Sequence, residues 1–149
     1  MLARDIMTRD VITVSPEMTV PEVAQVLLDH SISGVPVVSP DGNLLGIVTE
    51  GDLIARTARV KTPPILSLLG GLIYLENPAR FEEELRKVTA VKVKDLMTQE
   101  VISVNEDTPI SDISTLMIEK NINRVPVLRH RKLVGIITRA DIVRSLLER

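Results

Sequence analysis

Two seven-residue stretches carry the residue types from which a ligand site can be built: GIVTEGD from Gly46 and GIITRAD from Gly135. Each sets a Thr and an Asp three apart, Thr49 with Asp52 and Thr138 with Asp141, where an apolar strand gives way to a helix. A carboxylate at the carboxyl end of a strand can accept hydrogen bonds from the vicinal hydroxyls of a ribose. A helix N-terminus beside it favours phosphate. The same spacing is also a helix cap: T-x-x-D satisfies orphan backbone N–H groups and needs no ligand. Three features point beyond the cap. The motif recurs in register. Gly46 and Gly135 sit inside apolar strands, where glycine is costly and often marks a close approach. Both aspartates fall at a strand-to-helix junction.

Other chemistries find little support in the residue inventory. There is no Cys, which removes disulfides, zinc thiolate sites and Cys nucleophiles. The two histidines, His30 and His130, lie far apart in the sequence and neither is assigned a metal. No nucleophile–base constellation, Walker loop or zinc motif appears, so no catalytic residue is named and no enzyme is expected. Asp52 and Asp141 could in principle share a metal; two separate clefts is the favoured reading. One Tyr, one Phe and no Trp leave no stacking platform for bases. A net charge of −2 with scattered basic residues argues against nucleic acid. No apolar run is long enough to span a membrane and no signal peptide opens the chain, so the cytoplasm is the default location. With 149 residues, 44% hydrophobic and 26% charged, the chain can bury a substantial aliphatic core.

The elements that must position these residues are written twice. DIMTRDVITV from Asp5 pairs with DLMTQEVISV from Asp95, and ISGVPVV from Ile32 with INRVPVL from Ile122. The register slips by one residue in a turn, where SPDGN from Ser39 faces RHRK from Arg129. Each copy reads β-α-β-β-α. A strand VITV or VISV comes first. In the first copy a helix follows, with Thr19 as N-cap, Glu22 as its capping-box partner, and Val20, Val23, Val26, Leu27 and Leu28 apolar. In the second copy Thr108 precedes Pro109, which suits the first helical position. A VPV strand, a polar turn and the G-h-h-T strand follow. The closing helix carries Leu53 and Ile54, or Ile142, Val143, Leu146 and Leu147. The fold class expected is α+β: two repeats, residues 1–57 and 91–149, packed as one module, with an insert at 58–90. In that insert Asn77 and Pro78 open a helix with Phe81, Leu85 and Val88 on one face. Its apolar run, Ile65 to Leu75, either packs on its own domain or meets a partner.

This pattern resembles a tandem pair of cystathionine-β-synthase (CBS) domains, the Bateman module. Four elements carry the resemblance in order: D-h-M-T, V-I-[TS]-V, h-x-x-V-P-V and G-h-h-T-x-x-D. It covers both repeats and leaves out only the insert. It implies a pseudo-two-fold body with two clefts for adenosine-containing ligands such as AMP, ADP, ATP or S-adenosylmethionine, and dimers of modules. By motif, Thr49 and Asp52, and Thr138 and Asp141, match the residues that hold ribose and phosphate. Ile12 and Ile102 match the strand position lining the base. Met7 and Met97 match the segment that leads into that strand and closes over the nucleoside. Ser33, Gly34 and Pro36 match one cleft wall; Asn123, Arg124 and Pro126 match the other. Arg124 stands where the first copy has Gly34, and a basic residue there often meets phosphate in this family. Outside the family context it is a surface Arg paired with a carboxylate. The functional expectation is a non-catalytic sensor of adenine nucleotides, a homodimer that signals to a partner protein. The alternative is a structural or oligomerisation module with no physiological nucleotide.

Overall fold

The computed structural model describes residues 1–61 and 92–148. The expected insert helix, its Phe81 face and the Ile65–Leu75 run lie outside the described residues. The element order is α1 (Ala3–Ile6), α2 (Val20–Asp29), β1 (Gly34–Val38), β2 (Leu44–Thr49), α3 (Glu50–Lys61), α4 (Val93–Leu96), β3 (Val104–Asn105), α5 (Ile110–Lys120), β4 (Arg124–Arg129), β5 (Lys132–Thr138) and α6 (Arg139–Ser145). β1 and β2 form one sheet; β3-β4-β5 form another, with β3 parallel to β4 and β4 antiparallel to β5.

Local sequence explains most of these elements. Thr19 Oγ1 accepts from the Glu22 amide at 3.3 Å and completes a capping box at the start of α2. Pro109 occupies the corresponding place at α5, as N-cap rather than first helical residue, and has no side chain with which to cap. Thr108 Oγ1 instead accepts from the Asn105 amide at 3.1 Å and closes the preceding turn. Val20, Val23 and Leu27 are buried while Leu28 faces out, a stripe of helical period. His130 and Arg131 form the two-residue turn between β4 and β5 with φ of 51° and 70°, the left-handed pair that matches strand twist.

The expected VITV strand is shorter than its alternating pattern suggests. It contributes one bridge, Val14 to Val37, with the Val14 amide donating to Pro36 O at 3.0 Å. Pro16, which has no N–H, ends the ladder beyond Val14, while Val11, Ile12 and Thr13 make no bridge. In the second copy residue 106 is Glu, and the ladder reaches Asn105.

The chain divides into two compact units that do not follow the repeats from end to end. One holds Met1–Thr13, Val38–Leu45 and residues 100–148; it is called the Asp141 unit here. The other holds Val14–Val37 with residues 46–61 and 92–99, the Asp52 unit. Each body thus takes its leading segment from the other repeat. In the Asp141 unit α1 packs on α6 and β5, and Thr8 bridges Ile136. Its core is Ala3, Met7, Ile113, Met117, Val125, Val127 and Ile137. In the Asp52 unit α2 packs on α3, Thr98 bridges Ile47, and Lys92 bridges Thr19. Val14, Val23, Val35, Val37, Val48 and Val93 are buried there. Two matching charge clamps fasten the leading segments. Lys92 and Lys94 grip Glu17, and Arg4 pairs with Asp107.

Candidate functional site

The T-x-x-D motif builds the same small structure in both units. In the Asp141 unit Asp141 Oδ2 accepts from the Thr138 amide at 2.8 Å and from Thr138 Oγ1 at 3.0 Å, and the Asp141 amide lies 3.4 Å from Thr138 Oγ1. This is a full capping box at the start of α6. In the Asp52 unit the corresponding distances to Thr49 are 2.9, 3.2 and 3.4 Å. The capping reading of the sequence therefore describes real bonds. Both caps use Oδ2 and leave Oδ1 outside the box. In Asp141, which is 7% exposed, Oδ1 accepts from Arg144 at 2.9 Å. Asp52 is half-buried.

The strand preceding each motif makes room for the segment that crosses over from the other repeat. A Cβ on Gly46 would meet Met97 Sδ at 2.7 Å and the Thr98 carbonyl oxygen at 2.8 Å. A Cβ on Gly135 would meet the Met7 side chain, at Sδ and, at 2.8 Å, Cγ. The glycines are fixed by close approach, as expected, and the neighbour in each case is a methionine of the candidate set.

The units group the candidate residues in a way that sequence order does not. The Asp141 unit holds Met7, Ile102, Asn123, Arg124, Pro126, Thr138 and Asp141; the Asp52 unit holds Ser33, Gly34, Pro36, Thr49, Asp52 and Met97. Ile12 falls in the Met1–Thr13 stretch, two residues before the Val14 bridge. Ile12 and Ile102 are both half-buried. Ser33 and Asn123 are tied directly to the motif. Glu50 donates its amide to Ser33 O at 2.8 Å, and Arg139 to Asn123 O at 3.2 Å. Arg124 lies directly opposite Thr138 across β4 and β5.

Three charged neighbours were missed by the sequence reading: Glu50, Arg139 and Arg144. Aligning the copies position by position would have found them, because Arg139 faces Glu50 and Arg144 faces Ala55. A separate open groove of about 620 Å³ lies at the turn end of the β4–β5 hairpin, lined by Asn105, Glu106, Asp112, Arg129 and His130 among others. There Arg129 grips Glu106 through two bonds of 2.7 and 2.6 Å, which holds the Glu106 carboxyl below the usual carboxylate range. Thr138 is at the opposite end of the same hairpin, so this groove is not the T-x-x-D site. Among the described residues no cluster of His, Asp or Glu could hold a metal ion, and no helix is long and apolar enough to cross a membrane.

The chain matches the CBS domain model twice, over residues 3–59 and 93–148. It belongs to the CBS domain family, as a tandem pair of CBS domains. It is 33% identical to the uncharacterized protein MJ1426 of Methanocaldococcus jannaschii over 99% of this chain and 92% of that one. The crystal structure of CBSX2 of Arabidopsis thaliana in complex with AMP is similar with a TM-score of 0.78 and 26% identity, covering 99% of this chain and 96% of that one. The CBS domain pair of MJ0100, in complex with 5′-methylthioadenosine and S-adenosyl-L-methionine, is similar with a TM-score of 0.69 and 27% identity, covering 99% and 97%.

Proposed function

We propose that the chain is a regulatory module that binds adenosine-containing ligands, of the AMP, ADP, ATP or S-adenosylmethionine class, at Thr49–Asp52 and Thr138–Asp141. The observation that carries this reading is the duplicated carboxylate at a strand end, with Oδ1 outside the cap in both units. An Oδ1 so placed can accept from a ribose hydroxyl without dismantling the helix start. The AMP bound by CBSX2 and the two adenosyl compounds bound by MJ0100 support the ligand class. Asn123, Arg124 and Pro126, or Ser33, Gly34 and Pro36, would form the wall, Ile102 and Ile12 would face the base, and Met7 and Met97 would close over it.

The signal would pass by population shift: a ligand that prefers one arrangement of the module biases it, and a partner protein reads the bias. Each unit also presents exposed apolar side chains on its helices. Leu28 and Ile54 are 76% and 66% exposed, and Ile118 and Val143 are 79% and 63% exposed. A second copy of the chain would cover them, as a homodimer.

Thermal unfolding against a panel of adenosyl ligands tests the reading. A ligand at about 100 times its dissociation constant adds roughly 2.7 kcal/mol of stability. That gain should vanish in the Asp52→Ala, Asp141→Ala double variant. No gain with any ligand, and only a capping loss in the variants, would instead favour a purely structural module.

A further inference from the structure

The two motifs differ in charge far more than in the geometry of their caps. In the Asp141 unit three arginines lie at or beside the motif, one of them bonded to its carboxylate. Arg144 donates to Asp141 Oδ1 at 2.9 Å. Arg139 is held along the wall by its amide on Asn123 O and its Nε on Ile122 O at 3.3 Å. Arg124 faces Thr138 across the hairpin. The corresponding positions of the Asp52 unit are Ala55, Glu50 and Gly34. Glu50 is fixed against the same point of its wall, through its amide on Ser33 O at 2.8 Å. Of these four positions, the Asp141 site carries a net charge of +2 and the Asp52 site −2.

Resting on the function proposed above, we infer that the two sites sort adenosyl ligands by charge: the Asp141 site takes a phosphorylated nucleoside, and the Asp52 site an uncharged or cationic one. The physical reason is direct. A nucleotide phosphate is an anion with oxygens arranged for the planar guanidinium fork. At Asp141 three arginines stand at or beside the motif to attract it, and it can draw Arg144 off Oδ1 and so free that oxygen for the ribose. At Asp52 it would approach two carboxylates with no arginine at the matching positions. A thioether has no such conflict, and a sulfonium is attracted there.

The experiment is calorimetric titration of the full chain with AMP and with 5′-methylthioadenosine, in the wild type and in Arg139→Glu, Glu50→Arg and Arg144→Ala. Residues 50, 139 and 144 are exposed, and thermal unfolding checks that each variant folds. The wild type should bind AMP at one site per chain, with affinity falling as salt is raised. Arg139→Glu should weaken AMP at least tenfold and leave 5′-methylthioadenosine within about twofold. Glu50→Arg should add a second AMP site per chain. Binding of both ligands with stoichiometry and affinity indifferent to all three variants would overturn the charge sorting while leaving the sites in place. Binding of neither ligand by the wild type would overturn the nucleotide reading itself.

Discussion

Replacing each strand glycine with alanine separates two kinds of close approach. At Gly46 the added Cβ meets a backbone atom, Thr98 O at 2.8 Å, as well as Met97 Sδ. That backbone cannot retreat cheaply, because Thr98 and Ile47 exchange two hydrogen bonds of 2.9 and 3.0 Å. Overpacking of this kind costs about 1–3 kcal/mol. The strand regains roughly 0.5–1 kcal/mol by losing a glycine. A net loss of up to about 2.5 kcal/mol remains, and at about 2–4 °C per kcal/mol for a chain of this size it lowers Tm by up to roughly 10 °C. At Gly135 the nearest atoms all belong to the Met7 side chain, which has rotatable bonds to yield with. Gly135→Ala should therefore cost less than Gly46→Ala. A double-mutant cycle sharpens the contrast. Met7→Ala should absorb most of the Gly135→Ala penalty, whereas Met97→Ala should leave much of the Gly46→Ala penalty, since Thr98 O stays. Thermal unfolding by circular dichroism reads the wild type and all six variants. A Gly135→Ala variant less stable than Gly46→Ala, or full rescue of Gly46→Ala by Met97→Ala, would refute the crossed-segment packing.

Other perturbations have equally definite outcomes. Hydrogen bonds from Lys92 first, and from Lys94, hold the Glu17 carboxyl below the usual carboxylate range. A depressed carboxyl stabilises the fold above its unfolded pKa, and the contribution is lost as pH falls through its folded pKa. The Tm gap between wild type and Glu17→Gln should thus be open at neutral pH and close in acid; a gap that widens in acid would contradict the clamp. His130→Asn with Arg131→Gly places residues suited to positive φ in the β4–β5 turn, and should raise stability by about 1 kcal/mol in chemical denaturation. Without ligand, Asp52→Ala should cost about 1 kcal/mol as a lost cap, and Asp141→Ala more, since its carboxylate is buried and also holds Arg144; equal losses would argue that the Arg144 bond contributes nothing.

Much of this arrangement was legible in the residues, because local rules decide it. The Thr19–Glu22 box, the T-x-x-D caps and the strand glycines all act over a few positions. The failures have physical causes as well. The VITV alternation promised a strand from Val11, yet only Val14 bridges, because alternation marks a half-buried segment without supplying it a partner strand. Leu28, Ile54, Val143 and Leu147 fit apolar helical patterns yet lie exposed, because periodicity marks an apolar face without saying what covers it. The exchange of Met7 and Met97 between the bodies of the repeats is a long-range choice that no local pattern encodes. The charge contrast at positions 50/139 and 55/144 was present in the sequence, and only knowledge of which atoms neighbour Asp52 and Asp141 gave it meaning.

The most direct test of the central claim is equilibrium binding of AMP, ATP, 5′-methylthioadenosine and S-adenosylmethionine to the wild-type chain and to the Asp52→Ala, Asp141→Ala double variant. The account predicts saturable binding of at least one of them to the wild type and its loss in a double variant that still unfolds cooperatively. Saturable binding that survives unchanged in the double variant, or no binding to the wild type, would contradict it.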